Sequence, residues 1–345
     1  MRPHRRALLV AALFIAWAPL SAQTPSTIPE MWKAWCARCH AENGSGRPGN
    51  RPVAVEPMDF TDCKVATPEP DADWAVAIRS GGPAVGLSSE MPAFGDALTE
   101  QQIRGFVAYI RTFCGERGWP GGNLNFPRAI FTEKAFPENE LIVLPMASHD
   151  DTAPWSARVV YERRAGRRTQ FELSVPLRSS EMFQGLGDIA VAAKHVIAAS
   201  DARGAILSGG LEVVFPTGSA SRGLGTGTAV FEPYLAAGLS RFDMYLQAQL
   251  KYEIAARGGD RALVYNAYMG RDLSDRPNTW TIGAEINGED GALAFTPQIR
   301  KGLTATGAVA AAFGARLPLN RRREQEMQWI GYLLWEYLEP VRAAR

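Results

Sequence analysis

The chain has 345 residues and a formal net charge of +1, with 46% hydrophobic and 21% charged residues. This balance excludes a disordered tail protein and leaves no basic footprint for nucleic acid. The length admits more than one domain.

The chain opens on a basic stretch, "MRPHRR", followed by the short apolar run "ALLVAALFIAWA" and the small residues of "PLSAQ". This is the pattern of a secretory signal peptide over 1–22, cleaved after Ala22 to leave Gln23 first. The run is too short for a bilayer-spanning helix, and no other stretch offers the roughly 18 apolar residues one needs. The mature chain is therefore expected outside the cytoplasm, where cysteines can oxidise.

Next comes "WCARCH", Trp35 to His40. Two cysteines at this spacing could hold a metal, act as a redox dithiol or carry covalent haem. A zinc site needs a second ligand pair, and the mature chain has only His149 and His195 besides His40, both far along the sequence. A redox dithiol wants a βαβ context, which does not follow. C-x-x-C-H is the attachment pattern of c-type haem: each thiol of Cys36 and Cys39 adds to one vinyl group, and His40 becomes the proximal iron ligand. Trp32, Trp35 and Trp74 read as packing around that haem.

The stretch "SSEMPAFGDALTEQQIRGFVAYIRTFC" places Met91 in a Pro-containing loop. Thr99 with Gln102 three residues on forms a capping box, and Ile103, Phe106, Val107 and Ile110 recur at helical spacing. "MPAF…LT…Q…YIR" after C-x-x-C-H resembles the methionine loop and closing helix of class I cytochromes c, over about residues 28–114. The resemblance implies a small all-α domain with one covalent haem c, and His40 and Met91 as axial ligands. Met58, 18 residues past His40, is the competing methionine, too near in sequence to reach the far haem face easily. The leftover cysteines, Cys63 and Cys114, form an even pair in an oxidising compartment, which points to a disulfide. The cytochrome domain is thus expected over 23–114.

"CGERGWPGGNLNFPRAIF" breaks the helical pattern, so a linker is expected at 115–139. From 140 to 345 the pattern alternates. In "DMYLQAQLKYEI", Met244, Leu246, Ala248, Leu250, Tyr252 and Ile254 share one face. Asp243, Gln247, Gln249, Lys251 and Glu253 share the other. In "NTWTIGAEINGE", Trp280, Ile282, Ala284 and Ile286 oppose Thr279, Thr281, Glu285 and Asn287. About twelve such segments follow one another through short turns. Their length suits strands crossing an apolar band of roughly 25 Å, with aromatics such as Trp155, Phe231, Trp280, Trp329 and Trp335 near their ends. The expectation is an antiparallel up-and-down transmembrane β-barrel, with Leu246, Leu250, Trp280 and Ile282 toward lipid and Lys251 and Glu285 inward. A soluble sandwich would alternate too, with shorter strands.

"FPTGSASRGLGTGTAVFEPYLAAGLS" resembles an outer-membrane barrel family named for a phenol-degradation pathway, in its "P-T-G", its Gly-rich loop and its "G-x-G…P". The two-part architecture is similar to the cytochrome–porin fusions of iron-oxidising bacteria. Together these imply a one-electron carrier in the outer membrane, with its cytochrome on the periplasmic side, soluble periplasmic redox proteins as partners and lipid around the barrel. The haem domain is expected at the mouth, being too wide for the lumen of a twelve-stranded barrel. Two other readings stand beside it: an oxidoreductase acting on a small molecule, and a barrel passing a small hydrophobic solute with a redox-sensing cytochrome. No catalytic constellation marks the barrel.

Overall fold

The computed structural model describes residues 26–49, 53–148, 155–180, 182–320 and 326–337. The expected leader over 1–22 and His149 lie outside the described residues.

The N-terminal part is helical. α1 (Ile28–Met31), a π-helical turn (Trp32–Cys36) and α2 (Ala37–His40) run on without a break. α3 (Cys63–Ala66), α4 (Asp71–Ser80) and α5 (Glu100–Arg111) follow. The capping box forms: Thr99 N–H donates to Gln102 Oε1 at 2.8 Å, and Gln102 N–H donates back to Thr99 Oγ1 at 3.3 Å. Ile103, Phe106, Val107 and Ile110 are all buried, against Trp32, Phe60 and Trp74. α1 crosses α5 at Gly105, where an added Cβ would sit 2.9 Å from Ile28 Cδ1 and would make that side chain shift. A Cys63–Cys114 disulfide ties α3 to the chain just past α5. Trp32 and Trp74 are buried as expected, whereas Trp35 is half exposed.

From residue 140 the chain is a sheet. Its strands are β1 (Glu140–Ser148), β2 (Trp155–Ala165), β3 (Thr169–Ser179), the short β4 (Gln184–Leu186), β5 (Ala190–Ser200), β6 (Ala205–Val214) and β7 (Val230–Arg241). Then come β8 (Met244–Ala255), β9 (Arg261–Asp272), β10 (Trp280–Glu289), β11 (Ala292–Gly302), β12 (Val309–Pro318) and β13 (Gln328–Glu336). All pairings are antiparallel between chain neighbours, except that β3 pairs with both β4 and β5, and β1 pairs with β13. The β1–β13 ladder, Leu141 opposite Trp335 through Ser148 opposite Gln328, closes a ring of twelve long strands. Closure leaves no sheet edge, which is what lets a sheet sit in hydrocarbon. Among the described residues no helix is long and apolar enough to cross a membrane.

Alternation sorts the two faces. Leu246, Leu250, Trp280 and Ile282 are exposed outside with Phe171, Leu235, Phe313 and Leu333, while Glu285, Lys194, Glu162 and Gln170 are buried inside. An apolar belt over a polar interior is the architecture of an outer-membrane barrel.

The interior is not empty. The second half of the stretch read as a linker, 122–139, is a strap that dips into the lumen from one mouth and returns to start β1. Leu124, Phe126, Ala135 and Phe136 pack with Val196, Ile206 and Tyr234, and Ile130 packs with Ile142, Val160 and Tyr332. Glu285 pins the deepest point, accepting the N–H groups of Ile130 (2.8 Å), Phe131 (3.0 Å) and Thr132 (2.7 Å), the Thr132 hydroxyl and the Gln298 amide. Charges are matched around it. Arg128 pairs with Glu140 and Glu162, Lys134 with Glu138 and Glu140, and Lys194 with Glu133. Buried charges on the inner strand faces need such partners, and a flexible tether would leave them unpaired.

Two substitutions test this arrangement. Leu250→Arg, on the lipid face, should weaken folding into bilayers by about 2–4 kcal/mol if it lies near the midplane. Glu285→Leu strips three consecutive buried amides of their acceptor and should cost roughly 3 kcal/mol or more in denaturant titrations in detergent. Wild-type stability in both would mean that neither face is as described.

Candidate haem site and its wall at the barrel mouth

The site begins with the helical run 28–40. Its π turn places Cys36 and Cys39 on the side of His40, and Ala41 ends it at φ 63°. That left-handed conformation is costly for alanine and is held from both sides. Trp32 Nε1–H donates to the Ala41 carbonyl at 3.2 Å, and Gly46 N–H donates to the His40 carbonyl at 3.0 Å. The His40 ring stacks on Phe60 with centroids 5.1 Å apart.

Opposite lies the methionine loop, tied to α4. Gly82 N–H donates to the Met91 carbonyl at 3.0 Å, Phe94 N–H to that of Ile78 at 3.0 Å, and Gly95 N–H to that of Arg79 at 2.9 Å. Cys36, Cys39, His40, Met58, Trp74, Ile78, Met91 and Phe106 surround one cavity of about 870 Å³. Both methionines considered from the sequence therefore reach its wall. Cys36 and Cys39 are not bonded to each other. Burial, and then the neighbouring Cys39, push the Cys36 thiol up to about 12, so it is held as a thiol. Burial pushes His40 down to about 4, leaving a neutral imidazole at pH 7. Its Nδ1 is buried without a hydrogen-bond partner.

A c-type haem fits these residues. The cavity has the size and apolar lining of a cofactor site. The two free thiols and a neutral buried imidazole are the donor set such a group takes.

The barrel contributes to the same cavity: Pro277, from the β9–β10 turn, and Thr306, from the β11–β12 turn, line it. Gly86 lies against Thr306, where a Cβ would come within 3.1 Å of the Thr306 Cγ2. A second, polar cavity of about 510 Å³ lies alongside, between the helical domain and the barrel mouth. Glu69 and Asp73 line both cavities. Burial, then Asp73, Glu336 and Glu138, push the Glu69 carboxyl up to about 8 against the pull of Arg111. Burial, then Glu336 and Asp272, push Asp73 up to about 7 against Arg300. Arg111 holds this segment in place. Its guanidinium donates to Asp71 Oδ1 at 2.8 Å and to the Ala66 and Glu69 carbonyls, and lies 4.0 Å over the Trp74 ring.

Sequence reasoning missed both carboxylates, because what marks them is contributed by distant strand ends. Inside the barrel, Glu133, Glu162 and Glu172 bring carboxylate oxygens within 4.8 Å of one another. Arg128 and Lys194 serve two of the three. His195 meets Thr169 Oγ1 at 2.9 Å, a structural contact between β3 and β5.

Fold and site together define a cytochrome c domain fused to an outer-membrane-type barrel. Residues 23–110 match the family model described as cytochrome C oxidase, cbb3-type, subunit III. No curated protein matches the chain. Among solved structures the barrel is similar to a KdgM porin in complex with disordered oligogalacturonate. That match has 8% identity and a TM-score of 0.44, and covers 57% of this chain and 99% of that one. A NanC porin gives 11% identity and a TM-score of 0.43, covering 57% of this chain and all (100%) of that one. An outer membrane channel from Pseudomonas putida F1 gives 13% and 0.43, covering 59% and 97%.

The Cys63–Cys114 link closes a loop across the domain, with a sequence separation of 51. Replacing both cysteines by alanine should lower the stability of the helical domain by about 2–4 kcal/mol. Non-reducing peptide mapping should recover the linked pair from wild type. Two alkylatable thiols there, in addition to any at Cys36 and Cys39, would contradict the bond.

Proposed function

We propose that the protein is a monohaem c-type cytochrome performing one-electron transfer, anchored in the outer membrane by its barrel. The observation that carries this reading is the convergence of Cys36, Cys39, His40 and Met91 on one apolar cavity. Cys36 and Cys39 would hold the haem covalently, and His40 and Met91 would be the residues that ligate its iron. Met91 rather than Met58 is assigned because its loop is fixed by the α4 bonds described above. When bound, the haem supplies the one-electron couple. The chain's part is to exclude water and to set the potential through ligands and packing. A second protein ligand leaves no open iron position for a substrate, which favours electron transfer over catalysis.

The barrel is the anchor. The strap occupying its lumen disfavours an open pore for small solutes. The haem domain sits at the mouth carrying the turns 166–168 and 242–243, the longer 273–279 and 303–308, and both barrel ends. The opposite rim carries the longest described connection, 215–229, together with one two-residue turn, 290–291. Outer-membrane barrels keep short turns in the periplasm, which supports a periplasmic haem domain. Trp35 and Leu87 line the haem cavity and are both half exposed, so this edge is open to a soluble periplasmic redox protein.

Mass spectrometry should find one haem bound through a peptide containing Cys36 and Cys39. Haem that extracts into acid acetone would overturn covalent attachment. The oxidised protein should show the weak near-infrared sulfur-to-iron band, and Met91→Ala should abolish it. Loss of the band in Met58→Ala instead would reassign the ligand.

A further inference from the structure

We propose that reduction of the haem is coupled to proton uptake by Glu69 and Asp73, the two carboxylates in the wall between the haem cavity and the polar cavity at the barrel mouth. The proposal rests on the haem reading above and adds the groups that tune it.

The geometry carries the argument. Both side chains are half-buried, and each lines a mainly apolar cavity on one side and a polar one on the other. They flank Pro70, the N-cap of α4, and Arg111 fixes the same segment by three hydrogen bonds and its stack on Trp74. Three walls face them. The ends of β9 and β13 present Asp272 and Glu336, the strap presents Glu138, and the opposing cations are Arg111 from α5 and Arg300 from β11. Lys64 of α3 and Lys134 of the strap also line the polar cavity, as do Arg128, Arg271 and Arg276 and, of opposite sign, Glu140, Asp243 and Asp275. The immediate neighbours of each carboxylate are thus mostly acidic, and an ionised form here is poorly solvated and repelled. Such a group holds its proton into the neutral range and answers to a change of one charge nearby.

That change comes from the haem. The oxidised couple carries one more positive charge than the reduced one, so it favours the ionised carboxylates. Two unit charges about 10 Å apart at an effective dielectric of about 20 interact strongly enough to alter a proton affinity about tenfold. On reduction, one electron arrives from a one-electron donor, and a carboxylate takes up a proton from bulk solvent by way of the polar cavity, becoming a neutral acid. On oxidation both leave. The proton is held more tightly in the reduced protein, so the midpoint falls as pH rises.

The experiment is spectroelectrochemical titration of the full-length haem-loaded protein in detergent, from about pH 6 to about pH 9. The midpoint should fall across this range, by about 59 mV for each tenfold difference in proton affinity between oxidation states. The Glu69→Gln/Asp73→Asn double variant should flatten the curve, with each single variant between. Asp272→Asn leaves the helical domain untouched and removes one repelling charge, so it should move the fall to lower pH. A flat wild-type curve, or a full slope retained in the double variant, would overturn the proposal. So would an unmoved transition in Asp272→Asn, which also decides the matter should the double variant fail to fold. Failure of the haem reading looks different: no covalent haem, or no reversible couple at all.

Discussion

One carboxylate sets the geometry of this molecule. Glu285 receives three consecutive backbone amides from the strap, and a lone buried carboxylate in the lumen would otherwise have few donors to satisfy it. Pinning the strap there fixes where it leaves the barrel. Its first residues then lie against the helical domain: Asp71 and Asn123 exchange two hydrogen bonds, and Gly122 approaches the Glu69 carbonyl so closely that a Cβ would come within 2.0 Å. The haem domain is therefore seated on the mouth, and Pro277 and Thr306 become part of the cofactor cavity.

This seating joins two solvents. The barrel meets hydrocarbon outside, where only closure satisfies the backbone. Inside, it must neutralise a charged surface, and the strap provides the missing partners along with a small apolar core. The haem domain has its own core, built on the α1–α5 crossing and closed by the disulfide. What lies between the two cores is polar and densely charged, with residues from both domains.

Local pattern announced most of the fold. The C-x-x-C-H run, the capping box at Thr99 and the apolar spacing of α5 are contained in short windows, and period-two alternation in β8 and β10 sorts lipid face from lumen without any long-range information. The closing pair β1–β13 and the short β4 are not local features. Gly and Pro break the periodicity of the strap and give it the pattern of a linker, yet Leu124, Phe126, Ile130, Phe131 and Phe136 fall within it. Five large apolar residues suit burial better than an exposed tether, and that was the available signal. Glu69 and Asp73 look like ordinary acids flanking a helix start. Their surroundings include Asp272, Arg300 and Glu336, some 200 and more positions away, beyond what pattern alone can place.

The strap has a topological consequence. It enters the lumen beside the β5–β6 turn and leaves at β1, so both of its legs emerge from the same mouth. Among the described residues no segment passes through the ring from end to end. The barrel can therefore zip shut between its first and last strands before the loop is inserted, and neither the loop nor the domain preceding it ever has to be threaded. Assembly of the two halves becomes a docking step rather than a knotting problem.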